Sequence, residues 1–241
     1  MFFNTDLGSY LSERLSGPSI SGPSSAVNES GKSDSLAAMF PGLAYGRHRG
    51  PARRGCRQAA VAISLYQDTQ QRWLIPLTRR PMTLKHHGGQ ICLPGGRLEA
   101  GESANVAALR EFEEELGIRP QVQRCCGGLH PQYVYVSDNA VQPMVYIIDR
   151  PPSPWLPDPV EVEDVILLPL EELLRPSRRG VFRMNKRVHF TQANPHPANE
   201  SGFDTLEFNA PAFEYGGNRI WGATAMILDE LARILLPLRA G

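Results

Sequence analysis

Between Gly96 and Ile118 the chain reads GRLEAGESANVAALREFEEELGI, and the residues there that could do chemistry are Glu111, Glu114 and Glu115. At i, i+3 and i+4 of a helix, three carboxylates project from neighbouring points of one face. Left alone they repel, at roughly 0.2–0.5 kcal/mol per pair. They also fall in the last turns of the segment, where a helix dipole favours cations. A divalent cation removes both penalties. Carboxylate oxygens are the donors that hard ions such as Mg²⁺ or Mn²⁺ prefer, with substrate phosphate completing the shell. The other reading of such a run is a solvated acidic helix face.

The elements that must position these acids are legible around them. Ala108, Leu109, Phe112 and Leu116 recur at helical spacing and should face a core, Ser103 is placed to cap the helix, and Gly95, Gly96 and Gly101 make the loop that feeds it. Gly96, Glu102, Arg110-Glu111-Phe112, Glu114-Glu115 and Gly117-Ile118 fill every fixed position of the pattern G-x5-E-x7-R-E-U-x-E-E-x-G-U. In this the chain resembles the Nudix hydrolases. The resemblance implies an α/β/α sandwich, an α/β (α+β) fold with a mixed central sheet and a loop-helix-loop motif. It also implies hydrolysis of a diphosphate linked to another moiety with Mg²⁺ or Mn²⁺ as cofactor. By the same resemblance Glu111, Glu114 and Glu115 are the metal ligands, Arg110 orients them, and Glu114, Glu115 and Arg110 form the catalytic set. Glu114 is the choice for general base. Glu102 is a supporting residue.

Just upstream, Leu77 to Gly96 reads LTRRPMTLKHHGGQICLPGG, a strand ending in basic residues and a glycine-containing turn that returns the chain to the acidic helix. Phosphates would meet cations here. Arg79 and Arg80 alternate across a strand, so one of them faces the site, and Arg80 is the choice. His87 is either a turn residue or a substrate contact, and Gln90 either closes the turn or joins the site. Leu77, Thr78, Arg80, Leu84, His87, Gly89, Gln90, Pro94, Gly95 and Gly96 resemble the signature of the coenzyme A diphosphatase subfamily, with Pro81, Lys85 and Leu93 departing from it. Lys85 in place of arginine keeps the charge without the two-pronged phosphate geometry. Val141 to Val145, Asp158 to Val165, Leu168 to Leu170 and Ile220 to Ala225 are similar to the same subfamily. The resemblance thus names Arg80, Lys85, His87, Gln90, Gly95 and Gly96 as substrate-binding. It implies cleavage of coenzyme A or an acyl derivative to 3′,5′-ADP and 4′-phosphopantetheine or its acyl form. Two alternatives stand beside it: a Nudix hydrolase of ADP-ribose, a dinucleotide or an oxidised nucleotide, and a module that senses a nucleotide without cleaving it.

The remaining composition sets bounds. The chain has 241 residues, 41% of them hydrophobic, with Lys+Arg and Asp+Glu both at 25, enough for one good core and without the basic excess of a nucleic-acid binder. The opening residues lack the charge pattern of a secretory signal and no apolar run approaches a membrane span, so a cytoplasmic protein is expected, a monomer or homodimer acting on a small molecule. Cys56, Cys92, Cys125 and Cys126 show no zinc spacing and read as reduced thiols. Residues 1–55 are expected to hold a short helix lined by Leu7, Leu11 and Leu15, able to dock on the domain, followed by a Ser/Gly/Pro-rich linker from Ser16 to Ser35; residues 56–241 form the catalytic domain. The arginines at 47, 49, 53, 54 and 57 read as a solvated entry segment, or as cations near the site.

Strands are expected over Ala59–Tyr66, Trp73–Thr78, Gln121–Leu129, Gln142–Ile148 and Arg183–Phe190. A short helix is expected over Leu170–Leu174, and a last helix carries Met226, Leu228, Leu231, Ile234 and Leu235. Thr191 to Asn209 is read as a polar insertion looping outward. Glu161 is weighed as an extra site carboxylate and read in preference as a solvated acidic turn. Tyr133, Tyr135, Ser137, Asp138 and Asn139 lie in a loop suited to recognition.

Overall fold

A strand made of alternating Ile63/Leu65 and Ala60/Ala62/Tyr66 buries both of its faces, so it needs a helix layer on each side, and the fold supplies both. The computed structural model describes residues 6–16, 47–48, 52–83, 88–134, 137–152, 154–189 and 203–239. In chain order the elements are α1 (Leu7–Leu15), β1 (Arg47–His48), β2 (Arg57–Gln67), β3 (Trp73–Arg79), β4 (Ile91–Cys92), β5 (Gly95–Arg97), α2 (Ala104–Leu116), β6 (Val122–Gly128), β7 (Gln132–Val134) and β8 (Asn139–Ile148). They continue with β9 (Asp164–Pro169), α3 (Leu170–Leu173), β10 (Arg179–His189), β11 (Phe203–Tyr215), β12 (Asn218–Trp221) and α4 (Ala223–Leu235).

The main sheet runs β1-β7-β8-β2-β3-β4, with β5 on β2, β6 on β8 and β9 on β3. It is mixed: β2 and β8 lie parallel from Arg57↔Asn139 to Leu65↔Ile147, while β3, β5 and β9 join antiparallel. On one face Ala107, Ala108, Phe112 and Leu116 of α2 pack on Ala60, Ala62, Tyr66, Tyr146 and Ile148. The small side chains at 60, 62, 107 and 108 let helix and sheet approach closely. The other face meets Ile227, Leu228, Leu231 and Leu235 of α4 together with Leu7 and Leu11 of α1. α1 is therefore part of the same core, tied down by the Tyr10 hydroxyl, which donates to the Ile234 carbonyl at 2.9 Å.

β10, β11 and β12 form a separate antiparallel sheet, registered from Arg179↔Phe213 to His189↔Phe203. This corrects the reading of 191–209 as an outward loop. Residues 203–209 are strand, because each is paired across to β10; residues 190–202 lie outside the described set.

Two contacts fix the helix that carries the acids. The Ser103 hydroxyl accepts the Val106 N–H at 3.3 Å, and Gly117 ends the helix in the left-handed region at φ 68°. The segment after β8 then folds across this end. Leu156 N–H donates to the Leu116 carbonyl and Asp158 N–H to the Glu115 carbonyl, both at 3.2 Å, satisfying carbonyls that a helix end leaves open. A Cβ on Gly117 would collide with the Leu156 carbonyl, so glycine is required twice over. Trp155 from the same segment packs edge-on against Tyr66 and Phe112, at 6.2 and 6.1 Å between ring centroids.

Candidate active site

The three acids of α2 do not share one solvated face. At about 100° per residue, Glu114 lies on the far side of the helix from Phe112, whereas Glu115 lies beside it on the border of the apolar stripe. Accordingly Glu115 is 4% exposed, while the Glu114 side chain is 58% exposed. Glu111 sits between them, its side chain only 16% exposed. The expected crowd of three is a pair, buried Glu115 and half-buried Glu111, with Glu114 outside it.

Glu115 is held from two sides. The Thr78 hydroxyl of β3 donates to its Oε2 at 3.1 Å, and the Gly95 backbone N–H donates from the start of β5. Burial pushes this carboxyl up to about 7; the Thr78 hydrogen bond and the nearby Arg80 charge oppose the shift, and Glu111 adds to it. Glu111 is also raised, first by burial, with Glu114 and Glu161 adding repulsion and Arg110 countering. Gly96 makes room for it: any Cβ there would occupy the space of the Glu111 carboxylate. Both acids are raised, Glu115 with Glu111 adding to its shift, which is a site short of positive charge.

Arg110 supplies part of that charge. Its guanidinium donates to both oxygens of Glu102 at 2.9 and 3.1 Å, to Glu111 at 3.0 Å, to Glu114 at 2.8 Å and to the Arg97 carbonyl at 3.0 Å. It thereby fastens the loop before α2 to the helix, and holds Glu102 well below the usual carboxylate range.

Of the residues read as substrate-binding, Gly95 and Gly96 lie in β5, paired with Val61 and Ala60. Arg80 follows β3 with its charge near Glu115, and among the described residues its buried Nε has no hydrogen-bond partner. Arg79 turns elsewhere, to Asn218 Oδ1 at 2.6 Å and Asp164 at 3.5 Å. Gln90 closes the turn through its carbonyl, which accepts the Arg80 N–H at 2.9 Å. Lys85 and His87 lie outside the described residues, as does Tyr135. Of the entry arginines, Arg53 pairs with Asp138, whose Oδ1 also accepts the Tyr133 hydroxyl at 2.7 Å.

A family model described as the NUDIX domain matches residues 56–188, more than half of the chain. The chain belongs to the Nudix family. It is 32% identical over 168 residues to Nudix hydrolase 3 of Caenorhabditis elegans, covering 67% of this chain and 66% of that one. It is 34% identical over 178 residues to an uncharacterized Nudix hydrolase, NudL, of Salmonella paratyphi B, covering 73% of this chain and 81% of that one. Solved structures similar to it include a MutT protein from Methanosarcina mazei Go1 (TM-score 0.39, 19% identity, 51% of this chain and 84% of that one). The NUDIX domain of Shewanella oneidensis NrtR complexed with ADP ribose is another (TM-score 0.40, 18% identity, 51% and 78%).

Nudix hydrolases are pyrophosphohydrolases that act on acid anhydrides and generally use divalent metal ions. Among the described residues, no three His, Cys, Asp or Glu side chains converge into a ready metal-binding group. The donor set nevertheless fits a hard cation: buried Glu115 beside half-buried Glu111 supplies carboxylate oxygens, and one or two carboxylates are what Mg²⁺ takes when substrate phosphate and water complete its shell. One contact at the candidate site escaped the sequence reading. Thr78 matched a motif without receiving a role, since its contact with Glu115 spans 37 positions of chain. Glu161 is exposed in a turn, as read, and its charge lies near enough to add to the raising of Glu111.

Proposed function

We propose that this Nudix protein hydrolyses the diphosphate of coenzyme A or an acyl derivative, releasing 3′,5′-ADP and 4′-phosphopantetheine or its acyl form. The observation that carries the reaction is the buried Glu115 carboxylate beside half-buried Glu111, with the Arg80 charge near Glu115. The coenzyme A assignment is supported by the similarity of Leu77–Gly96 and Ile220–Ala225 to the coenzyme A diphosphatases.

Glu111 and Glu115 would hold Mg²⁺ or Mn²⁺, with Glu114 as the outer candidate ligand. When bound, the ion would neutralise diphosphate oxygens and activate water. Burial raises the proton affinity of Glu115, and a cation held beside it would favour the ionised carboxylate. Arg80 binds the diphosphate and aims one phosphorus at the carboxylates. Water attacks that phosphorus, the P–O anhydride bond breaks, the phosphomonoester on the other side leaves with the bridging oxygen, and Glu114, open to solvent, accepts the proton of the attacking water. Arg110 keeps Glu114 and Glu111 in register through the cycle.

The test is a product analysis with the full chain and Mn²⁺ or Mg²⁺, offering coenzyme A, an acyl-coenzyme A, ADP-ribose, a dinucleotide and an oxidised nucleotide in parallel. Coenzyme A should yield 3′,5′-ADP. Glu115→Gln should lower turnover on the order of 100-fold or more, because metal charge stabilisation is several kcal/mol and each 1.36 kcal/mol is tenfold. Faster turnover of another substrate would reassign the specificity. Coenzyme A bound without release of 3′,5′-ADP would make the protein a sensor.

A further inference from the structure

Thr78 is 1% exposed and points its hydroxyl at a carboxylate that is itself 4% exposed. A threonine at the end of a central strand has no packing reason to present oxygen there. Valine would fill the same volume, suit a β-strand as well, and carry no polar group to desolvate. β3 is held on one side by β9, with Thr78↔Val165, and on the other by β4, with Thr78↔Cys92, so its backbone is fixed by ladders on both edges. The Thr78 hydroxyl therefore meets Glu115 from a rigid base. Gly95 N–H meets the same carboxylate from β5, itself locked against β2 through Val61. Two donors from two strands thus fix the rotation of one carboxyl group at the end of a helix.

We infer that Thr78 is a positioning residue for the Nudix reaction: its hydroxyl sets the orientation of the Glu115 carboxylate, so that the free lone pairs face the place between Glu115 and Glu111 where a divalent cation is held. The inference rests on Glu115 being a metal ligand. Partners of this kind, which touch a ligand and not the ion, change metal affinity or activity by about 10–100-fold when removed.

Three variants of the full chain, Thr78→Ser, Thr78→Ala and Thr78→Val, test it, with Mn²⁺ titrations followed by the electron paramagnetic resonance signal of the free ion. Serine and alanine both lose the methyl group and differ only in the hydroxyl. Serine should bind Mn²⁺ within about threefold of wild type, and alanine and valine should bind at least about tenfold more weakly. The thermal midpoints of serine and alanine should differ far less than their affinities. Kinetically, alanine and valine should lose kcat at saturating Mn²⁺ while KM for the diphosphate stays near wild type. If alanine binds Mn²⁺ like serine, or serine is as impaired as alanine, Thr78 is a packing residue and the inference fails. Glu115→Gln is measured beside them. If it binds Mn²⁺ like wild type, the assignment of Glu115 as ligand is what has failed, whatever the Thr78 series shows.

Discussion

Without a divalent ion, Glu115 should destabilise the very fold that holds it. Its carboxyl moves from an ordinary 4.5 to about 7 on folding, and 1.36 kcal/mol per unit makes this about 3 kcal/mol. A raised acid binds its proton more tightly in the folded state. Its favourable contribution is therefore complete below about pH 4.5 and disappears as pH rises towards about 7. Above that, the folded protein carries a buried negative charge beside Glu111. Glu115→Gln removes the charge, keeps the side-chain volume and keeps an oxygen to accept from Thr78 and Gly95. In chelator at pH 8 the glutamine variant should be the more stable protein by up to about 3 kcal/mol, or roughly 6–12 °C in thermal midpoint for a chain of this size. At pH 4 the two should melt together. Adding Mn²⁺ at 100-fold over its dissociation constant should then stabilise wild type by about 2.7 kcal/mol and the variant far less. Calorimetry or circular dichroism melts at the two pH values, with and without the ion, give all four numbers. Equal midpoints at pH 8 in chelator, or a difference that does not shrink on acidification, would refute the buried-charge reasoning.

Further outcomes follow from neighbouring contacts. Gly96→Ala places a methyl where the Glu111 carboxylate rests, so Mn²⁺ affinity should fall about tenfold or more while the far-ultraviolet circular dichroism spectrum stays that of wild type. Leu11→Ala opens a hole in the core shared with α4 and should cost about 2–5 kcal/mol in chemical denaturation, although Leu11 is more than forty residues upstream of the first strand of the family-matched stretch.

Local signals were readable wherever a single element satisfied itself. Ser103 and Gly117 bound α2 where cap chemistry puts them, and β2, β3, β6 and β8 fall where apolar stretches were found. Strands of two or three residues, β4, β5 and β7, carry no period of their own and exist because a neighbour's ladder extends them. The same holds for 203–209, whose polar side of the pattern concealed a strand that depends on β10. At the site, the identity of the acids was legible and their division was not. The helical wheel already places Glu115 next to Phe112 and Glu114 opposite, but the raised state of Glu115 comes from its burial against the sheet, opposed by Thr78 and Arg80, and only folding brings these around it.

That α1 and α4 fill one wall of the core has a practical bearing on how the protein can be handled. The stretch recognised by the family model, 56–188, includes neither helix. A recombinant fragment cut to those limits would leave Ile63, Leu65, Val145 and Ile147 facing water as one greasy slab, and should precipitate or be degraded where the intact polypeptide is secure. The limits of the family model and the limits of a stretch that can bury its own core are different lines here.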